Sequence, residues 1–151
     1  MGGLGEIFTI MHSSASSIRH ELFYHQASVQ GVCATLYAVI HQQNVEVHQG
    51  IVSAKSRLAK KNQTVPRLEL IAAHMATSLT TNTVRSLKST RINEIICWSD
   101  STVVLFWLQS MKEYKAFVTN RVNKIKEHRE IKWRHVPTDQ NSADAGTRGK
   151  K

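Results

Sequence analysis

The run Glu-Ile-Ile-Cys-Trp-Ser-Asp-Ser at residues 94–101 is apolar through its middle, closes on the acid Asp100, and has a segment of helical period directly behind it. Its length and its polar junction make it a buried strand rather than a helix. A strand that hands over to a helix within a residue or two belongs to an α/β sheet. A carboxylate at the carboxyl end of such a strand faces the crevice where open α/β sheets bind ligands. The chain has three aspartates in all, so Asp100 needs an explanation, and a metal or phosphate site is the natural one.

The rest of the chain supplies elements around that strand. Residues 1–19 are rich in Gly and Ser without a period and read as a flexible leader or exposed edge, with the domain itself at 20–151. Leu22–Gln26, Gly31–His41 and Val45–Ser56 are three successive strands on short turns, an antiparallel meander; Val32, Ala34, Leu36, Ala38 and Ile40 share one face of the second. Pro66 opens a helix to about Leu87, where its missing N–H costs nothing, with Leu68, Ile71, Ala72, Met75 and Leu79 at helical spacing inside. After strand 94–99 come helices from Ser101 to Gln109 and over 114–128, the latter with Val118, Val122 and Ile125 inside and Lys115, Lys124 and Lys126 outside. Strand 131–136 and a polar loop at Pro137–Asn141 lead into a last helical segment cut off at Lys151. The order is βββαβααβ plus a truncated terminal helix, a mixed five-stranded sheet.

A length of 151 residues with 41% hydrophobic composition suits one domain with one core. No stretch has the length and apolarity of a membrane span, and no signal segment opens the chain. Met1-Gly2-Gly3 lacks the Ser or Thr of a myristoylation start, having Glu6 instead. The expectation is a soluble, intracellular protein, cytoplasmic or nuclear and not secreted. Cys33 and Cys97 lie in apolar strand-like runs with no thiol or histidine at zinc spacing, so they read as reduced core residues, and the eight histidines show no pairing for zinc. A net charge of +9 points to a polyanionic partner, nucleic acid first, against the alternative of a merely solvated basic surface.

Glu69 falls in the first turn of the first helix, Asp100 at a strand end and Asp144 at the start of the terminal segment. Acids at element ends on one side of a sheet are what a two-magnesium phosphodiesterase uses, because carboxylate oxygens hold hard cations. Each also has a plain alternative: Glu69 favouring its helix N-terminus, Asp100 capping the next helix, Asp144 a loop acid.

Five ordered blocks carry a resemblance. Val-Ser-Ala-Lys-Ser-Arg-Leu-Ala (52–59), Val-Pro-Arg-Leu-Glu-Leu-Ile-Ala-Ala (65–73), Trp-Ser-Asp-Ser-Thr-Val-Val-Leu-Phe-Trp-Leu (98–108), Phe-Val-Thr-Asn-Arg-Val (117–122) and Trp-Arg-His-Val-Pro-Thr-Asp-Gln-Asn-Ser-Ala-Asp (133–144) are found here. Together they resemble the ribonuclease H region of BEL/Pao-type retrotransposon polyproteins, over roughly residues 20 to 149. The resemblance implies a ribonuclease H-like fold and magnesium-dependent cleavage of the RNA strand of RNA–DNA hybrids, with two ions. It also implies a parent polyprotein carrying reverse transcriptase and integrase parts.

The family's acidic motif runs Asp, Glu, Asp, Asp, and Glu69, Asp100 and Asp144 match its last three members. The first belongs to a Phe-x-Asp-Ala-Ser-like block; here that block reads Phe23-Tyr24-His25-Gln26-Ala27-Ser28, so Gln26 stands at the first acidic position. Glutamine offers a carbonyl oxygen without charge, and the first aspartate is the one expected to bridge both metals, so activity is expected to be impaired. Glu21 is no substitute: an odd offset of five residues puts it on the other face of the strand, roughly 16 Å along it. Where many relatives carry a loop histidine, this chain has Thr138-Asp139-Gln140-Asn141; His135, on the strand, reads as a structural or substrate-edge residue.

Nucleic-acid contacts are expected from Lys55, Arg57, Arg67, Ser101, Lys115, Arg121, Lys124 and Asn141, since hybrids are recognised through backbone shape and 2′-hydroxyls. Lys60, Lys61, Lys112 and Lys126 are further basic residues around the same elements. The alternatives are a catalytically inactive nucleic-acid-binding relic and a retrotransposon aspartic peptidase. The second lacks the Asp-Thr/Ser-Gly turn, because Asp100-Ser101-Thr102 has no glycine. Acid order argues against an integrase, which shares the fold, because Glu69 precedes both aspartates.

Overall fold

Connection lengths decide the sheet. The computed structural model describes residues 17–24, 31–41, 47–87 and 92–137. Strands β1 (Ser17–Tyr24), β2 (Gly31–His41) and β3 (Val47–Leu58) pair antiparallel in chain order, as links too short for a crossover require. Helix α1 (Val65–Ser86) carries the chain across to β4 (Ile92–Ser99), which pairs parallel with β1. Helices α2 (Thr102–Gln109) and α3 (Ala116–Lys126) form the second crossover, to β5 (Ile131–His135), parallel with β4. The described strands form a five-stranded sheet in the order β3-β2-β1-β4-β5.

These directions bring several carboxyl ends together. β1, β3, β4 and β5 all finish at one end of the sheet, where Gly31 of β2 faces Leu58 of β3. α1 departs from that end, so its first turns lie beside the end of β4. The backbone N–H of Val136 donates to the Ser99 carbonyl at 2.9 Å, carrying the β4–β5 pairing to the same level. Two backbone details serve this region. Asn62, in the turn before α1, takes a φ of 64°, a left-handed conformation that asparagine tolerates. A side chain at Gly31 would meet the Arg57 carbonyl at 3.0 Å, so glycine lets β2 and β3 approach there.

The core lies between the sheet and the helices. α1 sets Leu68, Leu70, Ala72, Ala73, Met75 and Ala76 into a cluster with Val32, Ala34 and Leu36 of β2, and with Ile95 and Cys97 of β4. Fully burying each leucine contributes about 1.5–3 kcal/mol. Val104, Val118, Val122 and Ile125 close the cluster from α2 and α3. Thr77 and Thr80 are buried in α1, and their hydroxyls donate back to the Ala73 and Ala76 carbonyls at 3.0 and 2.9 Å, which avoids the cost of unsatisfied oxygens. Cys33 and Cys97 are free, buried thiols.

Some expected boundaries move. β1 opens at Ser17, inside the segment expected as a leader; flanked on both sides by β2 and β4, it is fixed by backbone pairing that a mixed polar sequence does not reveal. The helix starts at Val65 rather than Pro66, because Thr64 is the N-cap: its hydroxyl accepts from the Arg67 amide at 3.4 Å. Glu69 therefore sits beyond the first turn, which holds no acid, so it is not placed as a dipole partner for the helix N-terminus. Lys126 is not on the free polar face of α3: its ammonium donates to the Ser110 carbonyl at 2.9 Å and ties α3 to the loop behind α2. Residues 1–16 and the terminal helix expected after Asn141 lie outside the described residues.

Candidate functional site

Glu69 and Asp100 are carboxylates in buried positions, 4% and 9% exposed, on elements that meet at the carboxyl end of the sheet. Ser101 connects them. Its hydroxyl donates to Glu69 Oε2 and accepts from the Val104 amide at 3.2 Å, so one side chain caps α2 and holds the acid of α1. Its own amide donates to Ser99 Oγ at 3.0 Å, which pins the turn on which Asp100 sits. Ser99 and Ser101 are both buried. The cap of α2 is thus Ser101, not Asp100. As α2 begins at Thr102, the turn of an aspartic peptidase is not formed here.

Among the described residues no group of three or more His, Cys, Asp and Glu could hold a metal ion. Of the residues expected to hold metal, Glu69 and Asp100 are described, whereas Asp144 and the degenerate first position Gln26 lie outside the described residues, as do Asp139 and Asn141. Two buried carboxylates with adjoining serine hydroxyls have the oxygen chemistry that magnesium prefers. His135, at the end of β5, is exposed.

A cationic cleft of about 300 Å³ opens between the end of β3, α1 and the start of α3. Lys55, Arg57, Lys60 and Arg121 stand around it, Val32, Leu68, Ile71, Met75 and Phe117 contribute apolar wall, and among the described residues no acid lines it. Arg121 lies over the Phe117 ring at 3.7 Å and donates to the Phe117 carbonyl at 3.3 Å, while Arg67 approaches the same ring at 4.9 Å. Such stacking fixes guanidinium groups while leaving donors available. Lys115, just before α3, and Lys124 on it are exposed. Ser101, expected to touch nucleic acid, is buried, with its hydroxyl turned to Glu69.

His74 was not singled out by its sequence setting, yet it lines this cleft. Burial first, and then the charges of Lys124, Arg121, His128 and Arg57, hold its imidazole below the ordinary value of 6.5. The available signal was its place on the Arg67–Ile71–His74–Ser78 stripe of α1, bordering the buried face.

A mixed sheet in this strand order, with its helices in these crossovers, is that of a ribonuclease H-like fold. The crystal structure of RNase H1 from Halobacterium salinarum NRC-1 superposes with a TM-score of 0.54 at 16% identity, covering 85% of this chain and 92% of that one. The N-terminal RNase H domain of rv2228c from Mycobacterium tuberculosis gives 0.51 at 12% identity, covering 88% and 93%. LC11-RNase H1, solved in complex with an RNA/DNA hybrid, gives 0.51 at 15% identity, covering 85% and 91%. No curated protein matches the chain in sequence. Residues 9–101 match the Pao retrotransposon-like RNaseH-like domain, and the chain belongs to that family. The match includes Gln26, Glu69 and Asp100 and stops before Asp144. Among the described residues no helix is long and apolar enough to cross a membrane.

Proposed function

We propose that this domain binds RNA–DNA hybrids and hydrolyses their RNA strand with magnesium, at a rate impaired by Gln26. The observation that carries this reading is the pair of buried carboxylates, Glu69 and Asp100, joined through Ser101 at the carboxyl end of the sheet. Glu69, Asp100 and Asp144 would hold the ions, with the uncharged amide oxygen of Gln26 as a weak fourth donor. Bound magnesium supplies an activated water and charge stabilisation at the leaving oxygen. Ser101 keeps Glu69 oriented, and its cap on α2 fixes the neighbouring Asp100.

Substrate binding falls to Lys55, Arg57, Arg67 and Arg121 around the cleft and to Lys115, Lys124 and Asn141 beyond it. These groups read backbone phosphates rather than base edges, as hybrid recognition demands. The hybrid seen with LC11-RNase H1 supports this substrate class. A reverse transcriptase and an integrase in the parent polyprotein are the partners that membership of a retrotransposon family favours.

Gln26 favours a second reading, a relic that binds nucleic acid without cutting it. A labelled RNA–DNA hybrid, incubated with the natural chain and with Gln26→Asp, with and without magnesium, separates the two. The proposal expects weak magnesium-dependent cleavage that rises in Gln26→Asp. Binding without cleavage in either form would establish the relic. Ordinary cleavage by the natural chain, unchanged in Gln26→Asp, would remove Gln26 from the site.

A further inference from the structure

His74 is the one neutral titratable side chain in a cleft otherwise lined by Lys55, Arg57, Lys60 and Arg121, with no carboxylate among the described residues that line it. The charged and titratable groups around it come from every side: Arg57 from β3, Arg121 and Lys124 from α3, and His128 from the turn after α3. His128 itself has an acid nearby, Glu130 Oε1 at 3.6 Å, which His74 does not share. Glu69, on the same helix, is turned to Ser101. A positive charge added at His74 would therefore meet repulsion in the empty cleft and attraction once a phosphate is seated there.

We propose that His74 makes anion binding in this cleft proton-linked, so that the domain takes up a proton with a phosphate-bearing ligand and binds it more tightly as the solution is acidified. The inference rests on the reading of the cleft as part of a nucleic-acid surface and deepens it. The physical basis is reciprocity: if an anion favours the imidazolium, the imidazolium favours the anion by the same factor. The cationic neighbours that hold the empty-cleft imidazole below its ordinary value are the groups an incoming phosphate neutralises. Binding then lifts the titration back toward or above that value. Between the two midpoints affinity changes by at most about tenfold per pH unit for one proton. Histidine alone among side chains titrates in this range without perturbation.

The test measures affinity for a labelled RNA–DNA hybrid from pH 7.5 to 5.5 in chelator, for the natural chain, His74→Gln, His74→Lys and His128→Gln. In parallel, the His74 ring resonances are titrated with and without sulfate. The natural chain and His128→Gln should gain roughly fivefold more affinity on acidification than His74→Gln. His74→Lys, charged throughout, should bind tightly with little further gain, and sulfate should raise the His74 midpoint. A midpoint unmoved by sulfate, with equal pH dependence in the natural chain and His74→Gln, overturns the proposal while leaving hybrid binding intact. A midpoint raised by sulfate in a protein that ignores the hybrid sustains the proton linkage and removes nucleic acid as the ligand.

Discussion

Ser101 donates its hydroxyl proton to Glu69, a residue 32 positions earlier, while the same oxygen accepts from the Val104 amide. One atom thus ties the start of α2 to α1, one residue past the buried Asp100. Its loss removes a helix cap and a carboxylate donor together.

Ser101→Ala should destabilise the domain by about 1–3 kcal/mol. Ser101→Gly separates the two roles, since glycine at an N-cap costs only a few tenths. If the bond to Glu69 dominates, both variants lose similar stability in urea unfolding. A nearly natural Gly variant would assign the effect to capping alone.

Divalent cation provides a readout independent of cleavage. Ligand at ~100 times its Kd stabilises the native state by about 2.7 kcal/mol. Magnesium should raise the melting temperature of the natural chain slightly and that of Gln26→Asp more, and the rise should vanish in Glu69→Gln and Asp100→Asn. Without the ion, Gln26→Asp should melt below the natural chain, because a further carboxylate joins like charges. The same melting curve for all four proteins in magnesium would count against a shared ion site.

Salt dependence distinguishes phosphate binding from solvated charge. Removing one phosphate-binding cation should lower the slope of log affinity against log salt by about 1. Arg57→Gln and Arg121→Gln should each show this in hybrid binding. Lys132→Gln should not, because that ammonium pairs with Glu94 Oε1 at 3.1 Å away from the cleft. Arg121→Lys should keep the natural slope, since its charge remains, while losing part of the affinity, as an ammonium cannot reproduce the stacked planar group over Phe117.

The cysteines should resist thiol reagents in the folded protein. Burial raises the Cys33 thiol, with a hydrogen bond to Thr35 acting the other way, and burial alone pushes Cys97 well above its ordinary 9.0. Little thiolate is present at neutral pH, so labelling should follow unfolding, with Cys33 ahead of Cys97. For stability the sign is that of a folded value raised above the unfolded one: no loss below about 9.0, then falling stability as alkali draws the proton from the unfolded thiol. His74 acts oppositely. Its folded value is depressed, so its contribution is present above 6.5 and fades as pH drops, a fading that His74→Gln should remove.

Much of this molecule could be read from period and punctuation. Gly31–His41 carries Val32, Ala34, Leu36, Ala38 and Ile40 at strand spacing and forms β2 at those limits, and Val118, Val122 and Ile125 are the buried side of α3. Local pattern failed where neighbours decide. The early half of β1 is ordered by pairing on both sides. Of the site, Glu69 and Asp100 stood out as acids at element ends, but the hydroxyl between them bridges 32 positions of chain, which no local period encodes. The cleft is assembled from three elements far apart in sequence, so neither the absence of acid among its described lining residues nor the shifted His74 could be seen before folding.

β3 is an outer strand of the described sheet, twelve residues long, with Ile51 and Leu58 52% and 85% exposed. Such a strand offers a template on which another copy can add by backbone pairing, and lysine or arginine along it is a common safeguard. On the function proposed above, Lys55 and Arg57 would carry two duties, attracting polyanions and guarding this strand against pairing with another copy. Stripping them of charge to weaken nucleic-acid affinity should then also favour self-association, which sedimentation at rising protein concentration would register as a larger species than the natural chain forms.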